Sequence, residues 1–178
     1  HNYQPVDLQR QGYKFEGKSY LNDVSRMEET ACDFASCGCH HGVLNGVIGS
    51  LDGWLVKIRR PKKTDNISDV SSFYCRKGFY AVNIQAIVDK NKLILWRSIK
   101  CRGAEHDSPA FKKTDFYKKL LEKADELFEK GLYFVGDSAY SIRSFLQVPY
   151  ENASPQSPED WFNYHLSSCR IWVECAFG

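Results

Sequence analysis

Three carboxylates stand in stretches that are otherwise built for burial. Asp52 lies within the β-branched, apolar run from Val43 to Ile58, and Asp137 follows the apolar run from Leu132 to Val135. Glu174 interrupts Ile171-Trp172-Val173 and Cys175-Ala176-Phe177. An ionised carboxylate removed from water needs a cation, a metal or a proton. If the three converge, an all-oxygen site suits hard Mg²⁺ or Mn²⁺. Two such ions can clamp the attacking and leaving oxygens of an in-line phosphoryl displacement. Each residue also has a plainer reading. An Asp at a strand end serves as a turn former or helix cap, and Glu174 can pair with Arg170 one helical turn earlier.

Other groups could touch a substrate or a metal. Arg76 and Lys77 precede a strand beside the proposed site, and Arg59 and Arg60 open a basic loop that includes Lys62 and Lys63. These residues are candidates for phosphate contacts, which position a nucleic acid without reading its bases. Cys32, Cys37, Cys39, His40 and His41 form a soft-ligand cluster, but the spacing is not the paired Cys-x2-Cys of a zinc hook. Reduced cysteines near a helix end are the simpler expectation. His106, Asp107 and Ser108 are adjacent in sequence, so they cannot face one another as a hydrolase triad. Asp107 and Ser108 read as a helix cap, with an accessory role beside a metal open to Asp107. Trp54, Trp96, Trp161 and Trp172 are expected to pack in the core or between elements.

These residues need a scaffold to position them. Ser25, with Glu28 three residues on, opens a short helix in capping-box fashion. A core strand should end or bend near Asp52-Gly53. Strands at 80–88 and 93–99, joined by Asp89-Lys90-Asn91-Lys92, make an antiparallel hairpin. Residues 110–130 are helical by period, with Pro109 in the first turn and Gly131 as the C-cap glycine. A buried strand from Leu132, a short element and a helix from Ser157 to the end follow. The pattern is α/β with a mixed sheet.

Five segments in order resemble the Harbinger-type transposase nuclease domain. They are Gly49-Ser50-Leu51-Asp52-Gly53, Arg76 to Asp89, and Gly103-Ala104-Glu105-His106-Asp107-Ser108. Gly136-Asp137-Ser138-Ala139-Tyr140, with Pro149 downstream, and Arg170 to Gly178 complete the set. The resemblance covers residues 43–178, with 1–42 an arm and short helix before it. It implies a ribonuclease-H-like fold: three antiparallel strands, then helix-strand units, with flanking helices. It also implies an Asp-Asp-Glu triad at Asp52, Asp137 and Glu174 holding two Mg²⁺ or Mn²⁺ ions, and a double-stranded DNA substrate at transposon ends. A separate Myb-like DNA-binding partner protein is implied as well. Many relatives follow the first Asp with Gly-Thr-His, where this chain has Gly53-Trp54-Leu55.

The 178 residues are one domain's worth, and 43% apolar content can fill a core. The formal charge of +2 argues against a polybasic binder until it is divided along the chain. Between Asp52 and Lys113 there are 14 Lys or Arg against 6 Asp or Glu, with an acidic excess on either side. The near-neutral total therefore conceals a basic middle. Without an initial Met, and ending inside an apolar pattern, the sequence reads as a fragment truncated at its C-terminus. It has no apolar leader and no run long enough to span a bilayer, so a reducing, intracellular setting is expected, and the resemblance implies a nuclear one. The leading expectation is a metal-dependent DNA endonuclease or transposase catalytic domain. The alternatives are a domesticated, non-catalytic module docking a nuclear or DNA-binding partner, and an enzyme acting on RNA hybrids.

Overall fold

The computed structural model describes residues 20–36, 43–62, 65 and 67–177. A 3-10 turn at Tyr20–Asn22 leads into helix α1, Val24–Ala35. The cap is not Ser25 but Asp23, whose carboxylate accepts the Arg26 amide at 3.0 Å. Asp is at least as good a cap as Ser, so the helix starts two residues earlier. Strands β1 (Val47–Lys57), β2 (Ala81–Val88) and β3 (Ile94–Arg102) follow. Helices α2 (Asp107–Lys112), α3 (Asp115–Glu122) and α4 (Ala124–Glu129) lead to β4 (Tyr133–Val135) and β5 (Leu146–Gln147). Helix α5, Pro158–Phe177, comes last.

The sheet order is β3-β2-β1-β4-β5. The first three strands are antiparallel neighbours, while β4 pairs parallel to β1 and β5 parallel to β4. This is an α/β fold with a five-stranded mixed sheet and flanking helices, the arrangement expected of a ribonuclease-H-like domain. The β2–β3 hairpin turns where the sequence places it, with Asp89 accepting the amides of Asn91 and Leu93 at 2.8 Å each.

Strand β1 does not end at Gly53. Its ladder with β2 runs unbroken from Ser50↔Val88 to Lys57↔Ala81. What changes at Asp52 is burial: the five residues before it are buried, and those from it onward are partly or wholly open. The reason is β4, whose pairing with β1 stops at Ser50↔Val135. Beyond that pair β1 keeps a described partner strand on one side only, which leaves a notch.

The single helix expected over 110–130 is three. Thr114 closes α2 and caps α3, its hydroxyl accepting the Tyr117 amide at 3.1 Å, and Lys123 separates α3 from α4. The apolar period survives both breaks because Phe111, Phe116, Tyr117, Leu120 and Leu127 enter one cluster with Ile48, Leu51, Ile87 and Phe134 of the sheet. Gly131 holds the positive φ of 65° that a C-cap needs, and Leu132 donates back to the Leu127 carbonyl at 2.9 Å. A second cluster lies under α5, where Leu166 and Cys169 meet Val47, Val135 and Phe34. Ser157 caps α5 by accepting the Asp160 amide at 3.2 Å. Trp96 is buried in the larger cluster, whereas Trp161 is 59% exposed, contrary to the packing expected of it. Among the described residues no helix is long and apolar enough to cross a membrane.

Candidate active site

Successive side chains of a strand point to opposite faces. On β1 this sends Asp52 toward α5 and presents Gly53 to α2. Asp52 lies two residues beyond Ser50, and Asp137 lies two residues beyond Val135, the partner of Ser50 in the parallel pair. The two carboxylates therefore leave adjacent strands at the same level, beside the notch.

Asp52 is nearly buried, with 18% of its side chain exposed. One oxygen accepts the Gly53 amide at 2.8 Å, and the other faces the Arg170 guanidinium at 4.0 Å. Burial raises its pKa from the ordinary 3.8 to about 6. The Gly53 amide and Arg170 pull it down and the charges of Asp137 and Asp107 push it up, but desolvation prevails. Asp137 begins a tight turn: its Oδ1 accepts the Ala139 amide at 2.9 Å, and its carbonyl accepts the Tyr140 amide.

Glu174 is 57% exposed on α5, and the expected pair with Arg170 is present at 3.5 Å. Arg170 thus stands between Glu174 and Asp52, an internal cation 15% exposed whose Nε is buried without a hydrogen-bond partner. Trp54, on the Asp52 face of β1, stacks on Phe177 at 5.4 Å and covers the end of α5.

The opposite face of β1 holds Asp107. It is not the cap of α2, a position occupied by His106. Instead its Oδ1 accepts the Asn83 amide at 2.9 Å and the Gln85 amide at 3.0 Å. Gln85 donates also to Asn83 Oδ1, Asn83 donates to the Glu105 carbonyl, and Tyr140 donates its hydroxyl to Gln85 Oε1 at 2.7 Å. Burial, with the negative charges of Asp107, Asp52 and Asp137, lifts the Tyr140 pKa well above the ordinary phenol value and keeps its proton in this chain. A Cβ at position 53 would meet the Asp107 carboxylate and the Gln85 amide, so any larger residue must push both out of their hydrogen bonds.

Asn83, Gln85 and Arg170 did not stand out as site residues from sequence. The available signal was two long polar side chains at alternate positions of the otherwise apolar β2. Of the basic candidates, Arg76 and Lys77 line a cleft with Gly53 and Asp107. Arg59 and Arg60 are not part of that cleft; Arg60 lies over the Tyr80 ring and borders a separate groove with Lys62. Ser108 lies 3.5 Å from Ser141 and Asp107 is held by amides, so 106–108 form no hydrolase triad. Of the sulfur-histidine cluster Cys32 is exposed, and Cys37, Cys39, His40 and His41 lie outside the described residues.

Among the described residues no group of three or more Asp, Glu, His or Cys side chains is drawn together tightly enough to hold a metal ion in this conformation. The donor chemistry nevertheless fits a hard cation. Asp52, Asp107 and Asp137 each commit one oxygen to protein amides, and among the described residues their other oxygens take no hydrogen bond. The positive charge of Arg170 between Asp52 and Glu174 marks the demand there for a cation.

Residues 51–178 match the family described as DDE superfamily endonuclease. No curated protein and no solved structure matches the chain significantly.

Proposed function

The chain belongs to the DDE superfamily endonucleases, and on that premise we propose that it is the catalytic nuclease domain of a Harbinger-type transposase, cutting DNA phosphodiester bonds. The reading is supported above all by the matched levels of Asp52 and Asp137 on parallel neighbours beside the notch. Asp52, Asp137 and Glu174 would hold two Mg²⁺ or Mn²⁺ ions, with an oxygen of Asp107 as an accessory donor. When bound, such ions supply charge stabilisation at the attacking and leaving oxygens.

The chain's own residues do the rest. Arg76 and Lys77 hold backbone phosphates at the rim, with Arg59 and Arg60 as a further basic surface. Asn83, Gln85 and Tyr140 fix Asp107. Arg170 balances the carboxylates of Asp52 and Glu174 on the α5 face. A nuclear location and a Myb-like DNA-binding partner belong to the same proposal. Asp137→Asn is expected to lower Mg²⁺- or Mn²⁺-dependent nicking of duplex DNA with terminal repeats by on the order of a hundredfold or more. Unchanged nicking would sink the mechanism.

A second reading is a domesticated module that keeps the fold and docks a partner without cutting. The observation in its favour is Arg170, which already satisfies Asp52 and Glu174 in part. Calorimetry with Mn²⁺ separates the two: the nuclease binds the ion and loses that binding on Asp52→Ala, and a pure scaffold shows neither.

A further inference from the structure

The cleft beside Gly53 is lined by none of Asp52, Asp137 and Glu174. It has a volume of about 200 Å³ and is bounded by Leu55, Tyr74, Arg76, Lys77, His106 and Asp107. Sites that enclose a whole small molecule measure roughly 300–1,000 Å³, so this one has room for a single flat ring and its attachment. Arg76 and Lys77 ride the tip of a tight turn. Gly78 donates to the Cys75 carbonyl at 3.0 Å and Cys75 to the Phe79 carbonyl at 2.8 Å, while Tyr74 bridges to Tyr80. The rings of Tyr74 and Tyr80 meet edge to face at 5.2 Å, which steadies Tyr74 and leaves it 50% exposed.

Among the described residues the side chains of Tyr74, Arg76, Lys77 and His106 make no hydrogen bond or ion pair. Their basic neighbours are engaged. Lys113 pairs with Glu105, Arg102 reaches Ser72 and the Phe73 ring, and Arg60 covers Tyr80. Uncommitted positive charge is thus gathered at the rim, and the Asp107 carboxylate forms the inner wall. That polarity seats an anion at the rim and a neutral, flat group inside. A base within a duplex cannot enter, because its faces are covered by its neighbours. A base that has left the stack presents a π-face that an exposed aromatic ring can meet.

We infer that the cleft receives one unpaired nucleotide of a DNA substrate, its phosphate at Arg76 and Lys77 and its base against Tyr74. The inference takes DNA as the ligand from the nuclease reading, but its test needs no cutting. The full chain, in EDTA, is titrated by fluorescence anisotropy with a labelled duplex and with the same duplex carrying one unpaired nucleotide. The second DNA should bind about tenfold more tightly. Tyr74→Ala should remove that preference and Tyr74→Phe should keep it. Arg76→Ala should weaken both DNAs alike and flatten the salt dependence. Equal affinities, a Tyr74→Ala loss shared equally by both DNAs, or no binding of either overturns the inference. The nuclease reading fails by a different result, unchanged cleavage by Asp137→Asn, which these titrations do not measure.

Discussion

The two faces of β1 treat a carboxylate in opposite ways. On the α2 face Asp107 meets neutral donors in a closed chain, where Tyr140, Gln85 and Asn83 leave no amide hydrogen without an acceptor. On the α5 face Asp52 meets one guanidinium at 4.0 Å, shared with Glu174, and burial lifts its pKa to about 6 regardless. A closed network fixes geometry. An unmatched buried charge leaves a demand that an added cation can meet. The α2 face is therefore set before any ligand arrives, and the α5 face is where arrival is felt.

The sharpest attack on this contrast is Gly53→Ala. The added methyl would displace both the Asp107 carboxylate and the Gln85 amide. Overpacking and broken buried hydrogen bonds together should cost about 3 kcal/mol in urea unfolding. A loss below about 1 kcal/mol would show that the α2 face can yield, and the contrast would fail.

Asp52→Asn should act in the other direction. With its folded pKa raised from 3.8 to about 6, native Asp52 holds a proton between those values that the unfolded chain has released. Stability therefore falls as pH rises through that window, and the loss is complete above it. A shift of about two units is worth on the order of 3 kcal/mol. The metal-free Asn variant should gain up to about that much at pH 7.5 and almost nothing at pH 4. A melting temperature that does not rise at pH 7.5 would mean that Arg170 already balances the charge.

Tyr140→Phe removes one donor from the closed chain and leaves Gln85 Oε1 unpaired, which should cost about 1 kcal/mol by the same unfolding measurement. Glu174→Gln is the mildest. Its carboxylate is more than half exposed, so stability should change by less than about 0.5 kcal/mol. If the Glu174 change exceeded the Tyr140 change, the assignment of rigid and adjustable faces would be reversed.

Local chemistry made much of the scaffold legible. The four-residue turn after Val88 forced the β2–β3 hairpin, and Ser157-Pro158 announced α5. Periodicity gave the correct buried side of residues 110–130 but not the breaks, because Thr114 and Lys123 interrupt the backbone without changing which face is apolar. At the site, the apolar surroundings of Asp52 and Asp137 singled them out. Asp107 was misread as a cap because its partners, Asn83 and Gln85, lie more than 20 residues away and come beside it only when β3 pairs with β2 and α2 folds back over that strand. Arg170 was legible as the partner of Glu174 but not of Asp52. A helical turn can be counted along the sequence, whereas the docking of α5 on β1 cannot.

Asp52 also bears on how this sequence would drift. Burial works against the ionised form of Asp52, whose pKa it lifts to about 6, while Asp107 is bound into the fold by its hydrogen bonds. A descendant no longer selected as a nuclease would gain from losing the first and suffer from losing the second. Decay should therefore be recorded at position 52 well before it reaches 53, 83, 85 or 107.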